Sequence, residues 1–190
     1  KGIITKQQVR VKENGNTQLL IECKDAAMRM GLGRKSKYFL EQKDSDVMDG
    51  IVNSYSGLKS DVEATSLLHK ELIQHHLSDW DFIALRAEAN GQLLFVNDGE
   101  LKIEAPKTDT DPVLQVTYGS SIIEFEAEMD IRSQWSKVEA HSWDYKNQGL
   151  FTAEVEEAAG FMQLGNVNSS ELASANKLDK YLLHHSGNLL

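Results

Sequence analysis

Apolar positions recur at every second residue near the start of the chain, at every third and fourth in the middle, and at every second again beyond it. From Ile3 to Val11, Val9 and Val11 share one side and Arg10 and Lys12 the other. Asn14-Gly15 supplies the positive φ angles of a tight turn, and Leu19, Ile21 and Cys23 then alternate with Gln18, Leu20 and Glu22, which predicts a β-hairpin. Asp25 to Met30 allows one helical turn, ended by Gly31 and Gly33. Asp44 or Ser45 caps a helix with Val47, Met48, Ile51, Val52 and Tyr55 on one stripe and Gly57 as its stop. Thr65 or Ser66 caps another, through Leu67, Leu68, Leu72 and Ile73 towards Leu77. Ser78-Asp79-Trp80-Asp81 has the spacing of a capping box, and Phe82, Leu85, Arg86 and Ala89 continue helically to the stop at Asn90-Gly91.

From Gln92 the period returns to two. Leu93 to Val96 and Leu101 to Ile103 flank Asn97-Asp98-Gly99, a second hairpin. Pro106 and Pro112 bracket a polar linker over 107–111, and Val113 to Tyr118 is the next expected strand. In Ile123 to Met129 four apolar residues alternate with Glu124, Glu126 and Glu128, which predicts a strand with one buried and one wet face. Trp135 to Trp143 is its expected antiparallel partner, with Val138 and Ala140 inward. Phe151 to Gly160 and Ser169 to His185 read as loops and short helices. The order of elements predicts an α+β chain with mainly antiparallel strands. It divides into 1–43 (hairpin and connecting turn), 44–91 (helical insert), 92–149 (second set of strands) and 150–190 (connecting loops and short helices).

Charge narrows the function classes. The 20 Lys and Arg against 29 Asp and Glu give a net charge of −9, which argues against a general binder of nucleic acid or anionic membrane. Hydrophobic residues at 41% and charged residues at 26% support a packed core rather than wholesale disorder. No apolar run approaches the roughly 18–20 residues that span a bilayer. The single cysteine, Cys23, rules out an internal disulfide and leaves no cysteine-based zinc site. An opening at Lys1 without a basic-then-apolar segment reads as no signal peptide, and both ends read as those of a piece cut from a longer chain.

Candidate chemistry is thin. His69, His75 and His76 lie near Asp79, but metal-sharing histidines on a helix stand three or four residues apart, and these stand six, seven and one apart. Surface or capping roles are the reading for them and for His184-His185. Gly31-Leu32-Gly33-Arg34-Lys35-Ser36 lacks the phosphate-loop spacing, so Arg34, Lys35 and Lys37 read as a solvated basic cluster. Ser120-Ser121 is no nucleophile elbow. Asp25, Asp44, Asp46, Asp79 and Asp81 are available as paired carboxylates, yet each has a local role at a helix start. Trp80, Phe82, Trp135 and Trp143 suit a sugar platform or ordinary packing. No residue is assigned a catalytic, cofactor-binding or metal-binding role.

Several strings in order carry a family resemblance: Gly2-Ile3-Ile4-Thr5, Leu20-Ile21-Glu22-Cys23-Lys24-Asp25-Ala26-Ala27, Arg34-Lys35-Ser36 leading to Asp44-Ser45-Asp46, and His69-Lys70-Glu71-Leu72-Ile73-Gln74. Ser78-Asp79-Trp80-Asp81-Phe82 with Arg86-Ala87-Glu88-Ala89-Asn90-Gly91, Tyr118-Gly119-Ser120-Ser121-Ile122 and Ser142-Trp143-Asp144 continue the series. The chain resembles the Vgr (VgrG) spike proteins of type VI secretion and related contractile injection systems, themselves similar to phage late-control and tail-hub proteins. The resemblance implies small β-barrel segments with a helical insert, a homotrimeric hub, and inner-tube and spike-tip or baseplate proteins as partners. It also implies no enzymatic activity, no cofactor, and synthesis in the bacterial cytoplasm followed by export with the spike. A phage or prophage tail baseplate hub is the alternative within that class. A metal-dependent hydrolase using the histidines, or a carbohydrate-binding module using Trp135 and Trp143, are the alternatives outside it.

Overall fold

The computed structural model describes residues 2–12, 15, 17–107, 110–111, 113–126, 130–132, 134–144, 147–156, 168–178 and 180–184. The expectations for Asn14, Pro112, 127–129, 157–160, His185 and 188–190 lie outside the described residues. The chain forms two units, Lys1–Pro106 and Lys107–Leu190.

The first unit opens as expected with an antiparallel ribbon of β1 (Gly2–Val11) and β2 (Thr17–Asp25), turned through Gly15 at φ 78°. A bulge between Ile4 and Lys6 shifts the register, after which Gln7 faces Ile21 and Val9 faces Leu19. A 3-10 helix over Ala26–Gly31 follows. The Asp25 carboxylate caps it by accepting from Ala27 N at 2.9 Å, and its other oxygen accepts from Gly99 N at 2.9 Å. One side chain thereby ties the base of the ribbon to a turn 74 residues further on.

Next come β3 (Lys35–Lys43), α1 (Asp44–Asn53), β4 (Lys59–Val62), β5 (Leu68–Leu77), α2 (Asp79–Ala89), β6 (Leu93–Asn97) and β7 (Glu100–Glu104). On α1, Val47, Met48, Ile51 and Val52 are buried, one stripe of a 3.6-residue period. Ser78 caps α2 by accepting from Asp81 N at 3.0 Å. The two helices, Leu72, Leu101 and Ile103 enclose the core, where Phe39 stacks on Phe82 at 5.8 Å. Asp98 (φ 48°) and Gly99 (φ 84°) turn β6 into β7 as the sequence indicates.

Two elements in segment 44–91 depart from the expected helical insert: β4 is a strand paired parallel with β7, and β5 replaces a helix. The stretch towards Leu77 is not a helix but strand β5, antiparallel to β3. Leu68 and Ile73 point outward at 58% and 48% exposure while His69, Leu72 and Gln74 are buried, so the helix-like spacing mixed residues from two faces of a strand. Thr65 caps no helix of its own; its Oγ1 accepts from Ser45 N in the first turn of α1 at 3.1 Å.

The second unit holds β8 (Val138–Asp144), β9 (Gly149–Val155), α3 (Ser169–Ala175) and β10 (Tyr181–His184), with β8 central. The partner of β8 is therefore β9, antiparallel, with β10 parallel on its other side. Residues 113–118 and 122–126 form no strand. The α+β class with mostly antiparallel pairing holds. Among the described residues, however, the sheets have two, two, three and three strands and none closes into a barrel. Among the described residues, no helix is long and apolar enough to cross a membrane.

Candidate functional site

Two aspartates begin the two helices of the first unit, and each lies on its helix's apolar stripe. Asp44 stands three and four residues before Val47 and Met48, and Asp79 stands three and four before Phe82 and Ile83. Forming either helix therefore carries a carboxylate towards the core, where an ion needs full pairing.

Asp44, 1% exposed, is met by four donors or ring nitrogens. Arg86 approaches bidentately, Nε to Oδ1 at 2.5 Å and Nη2 to Oδ2 at 2.9 Å. Asn90 Nδ2 donates at 3.0 Å, and His69 Nε2 lies 2.9 Å from Oδ2. Burial pushes the Asp44 carboxyl up, but the bonds from Arg86, Asn90 and His69 outweigh it and hold the group at about 2. Arg86 in the last turn of α2 and Asn90, the residue that caps its C-terminus, stand four apart, so they reach Asp44 side by side.

Asp79, also 1% exposed, accepts from Lys35 Nζ at 2.5 Å, Tyr55 Oη at 2.6 Å and Gln74 Nε2 at 2.9 Å. Burial again pushes the carboxyl up, and the bonds from Lys35, Tyr55 and Gln74 bring it below the ordinary value. The bond to Asp79 raises Lys35, and burial followed by that same carboxylate raises Tyr55. Lys35 thus belongs to a strand and an ion cluster, not to the solvated basic loop that the sequence suggests.

Both carboxylates are charged and saturated with partners, an arrangement that fixes β3, α1, β5 and α2 rather than one that moves protons. His69 is committed to Asp44, while His75 and His76 are exposed, and His76 N donates to Ser36 Oγ at 3.1 Å. Among the described residues, no three His, Cys, Asp or Glu side chains are grouped to hold a metal ion. Asp46 and Asp81 are exposed in the first turns of their helices. Gly31-Leu32-Gly33 links the 3-10 helix to β3, and Ser121 closes a turn by accepting from Thr117 N at 2.8 Å. Trp80 lines a hollow of about 500 Å3 with Met28, Leu32 and Val96; Trp135 stacks on Tyr181 at 4.8 Å; and Trp143 is half-exposed. In the second unit, Glu139 takes Lys180 Nζ at 2.5 Å and His141 Nε2 at 2.6 Å, partners that lower it to about 2.

The outward faces carry the remaining signal. Every residue of β1 is exposed and almost all of β2, including Ile4, Val9, Val11, Leu19 and Ile21 on one face. Tyr38, Leu40 and Ile73 are exposed on the β3–β5 sheet. Exposed apolar side chains gathered on one face are the kind of surface that interaction sites present.

In fold the chain is similar to a tail protein from Neisseria meningitidis MC58, with a TM-score of 0.66 and 17% identity over 99% of this chain and 55% of that one. It is also similar to the 43 kDa tail protein of prophage MuSo2 from Shewanella oneidensis, with a TM-score of 0.60 and 15% identity over 91% of this chain and 55% of that one. It spans about half the length of each. No curated protein matches the chain. The model of the Alg8 N-terminal domain matches residues 1–190, the whole of the sequence, and the chain therefore belongs to the Alg8 N-terminal domain family.

Proposed function

We propose that the chain is a non-enzymatic hub or spike-base subunit of a contractile injection apparatus, of type VI secretion or a related system, in the manner of the Vgr proteins it resembles. It assembles as a homotrimer, caps the inner tube by symmetry matching, and contacts spike-tip or baseplate proteins. It is made in the bacterial cytoplasm and leaves with the spike when the sheath contracts. The observation that carries this reading is the tail-protein fold spanning 99% of the chain. Saturated, ionised acid clusters inside and apolar strand faces outside support it, since a hub needs fixed geometry and broad contacts rather than a reactive pocket. The prophage origin of one solved relative supports a second reading, a prophage tail baseplate hub with the same mechanics.

Light scattering after size exclusion tests the proposal. Three chains of 21.3 kDa give roughly 64 kDa. A trimer is the expected result, and a stable two-fold dimer or a monomer at every concentration overturns the reading.

A further inference from the structure

We propose that residues 122–126 of one copy of the chain add as a strand to the free edge of β1 in a second copy, placing Glu124 and Glu126 beside Lys6, Arg10 and Lys12, and Ile123 and Phe125 beside Val9 and Val11. This rests on the self-association proposed above but not on its stoichiometry.

Residues 122–126 have the sequence of a strand without its pairing. From Ile123 to Glu126 apolar and acidic residues alternate, after the adjacent pair Ile122-Ile123, yet Ile123 is fully exposed and Phe125 is 75% exposed. The backbone bonds at the start of this segment close a local turn, from Ser120, Ser121 and Ile122 N back to Thr117 O. Among the described residues, neither Glu124 nor Glu126 makes an ion pair. A two-stranded ribbon is marginal in water, and β1 and β2 pair only with each other among the described residues. The outer edge of β1 is therefore open to a further strand.

Beyond the bulge, β1 has two faces of different chemistry. Val9 and Val11, 65% and 71% exposed, lie with Leu19 and Ile21 on one. Lys6 and Arg10 point to the other, Lys12 continues the same alternation, and none of the three is in an ion pair among the described residues. Glu22, the residue opposite Lys6, is paired instead with Lys24 at 3.7 Å. A strand added at this edge must send alternate side chains to the two faces. The alternation in 123–126 sends acid to base and apolar to apolar, and a slip of one residue reverses both matches. The shared period of two keeps the glutamates on the basic face in either direction and sets Glu124 opposite Arg10 in both; an antiparallel strand brings Glu126 diagonally to Lys6, a parallel one brings it opposite Lys12. Directly opposed side chains lie about 5 Å apart, within ion-pair reach. This is strand addition at a sheet edge, with the partner strand encoded in the same sequence.

Charge reversal tests the assignment. Lys6→Glu with Arg10→Glu, and separately Glu124→Lys with Glu126→Lys, each put like charges opposite one another. Each is expected to weaken self-association at least about tenfold by concentration-dependent light scattering. The protein carrying all four reversals regains association, and an equimolar mixture of the two reversed proteins associates more than either alone, in full for an even-numbered assembly and in part for a ring of three. Circular dichroism confirms that these exposed substitutions leave the fold intact. Association equal to the parent's in either reversed protein, no recovery in the combined protein, or a parent that is monomeric throughout overturns the proposal. Recovery independent of concentration, the mark of a contact within one chain, also overturns it. A trimer insensitive to charge reversal leaves the hub reading standing without this strand. A charge-sensitive dimer supports the strand and removes the hub.

Discussion

Replacing Asp44 by Asn tests whether the buried acid cluster holds the first unit together. The substitution keeps the shape of the side chain but removes the charge on which Arg86, Asn90 and His69 converge. The Arg86 side chain is only 17% exposed, so its guanidinium is left without a counter-ion. Breaking a buried pair from one side costs about 3–5 kcal/mol, a large part of the roughly 5–15 kcal/mol that stabilises a typical domain. A second quantity comes from protonation. The carboxyl lies at about 2 against an ordinary 3.8. That difference corresponds to roughly 2 kcal/mol of stability. Because the folded value is the depressed one, this stability is complete above the unfolded value and disappears as pH falls through the folded value. Urea unfolding followed by Trp80 fluorescence, in a Trp135→Phe, Trp143→Phe background, reports the first unit alone. The expected result is a loss of about 3–5 kcal/mol at neutral pH and, between about pH 5 and pH 2, a shallower decline in the variant than in the parent. A loss below about 1 kcal/mol, within the range of exposed pairs, refutes the reasoning, as do parallel pH curves.

Ser78→Ala removes the bond to Asp81 N and is expected to destabilise by about 1 kcal/mol in the same urea assay. Gly99→Ala places a Cβ at φ +84° and 3.1 Å from the Gly57 carbonyl oxygen. It is expected to lose about 1–2 kcal/mol, lowering the thermal midpoint by several degrees on calorimetry. Hydrogen exchange of the free chain should show the amides of β1 and β2 exchanging well before those of α1 and β7, because the ribbon lacks burial on either face. Equal protection in a demonstrated monomer contradicts that account.

Where local chemistry decides the outcome, the sequence is readable. The turns at Gly15 and Asp98-Gly99, the Ser78 cap and the α1 stripe all appear where their residues indicate. Where pairing partners decide it, the sequence misleads. Leu68, Leu72 and Ile73 mimic a helix because periodicity does not record which side of a strand is covered. The sequence of 122–126 is that of a strand, but a strand exists only when an edge meets it. Asp44 and Asp79 read naturally as residues of a helix start, and both do stand in a first turn. The missed signal was their place on the apolar stripe, which demands partners. Arg86 near the end of the next helix and Asn90 at its C-cap, four apart in the sequence, satisfy that demand for Asp44.

The two acid clusters and the exposed strands are linked by what each contributes. A buried ion cluster adds little net stability over a well-packed apolar one, but it strongly penalises arrangements that separate its members. In the first unit such arrangements are those that shift α1 against β5 and α2, or β3 against α2. Of these elements, β3 and β5 carry Tyr38, Leu40 and Ile73 on their outer face. The base of the ribbon is fixed separately, through Asp25 to Gly99. Misplaced outer faces would disrupt every contact in an assembly at once, whereas a modest loss of stability in one subunit is offset when neighbours cover its apolar surface. Placing the specific interactions inside and leaving the apolar area outside therefore fits the assembling subunit proposed above, whose final stability would come from its neighbours.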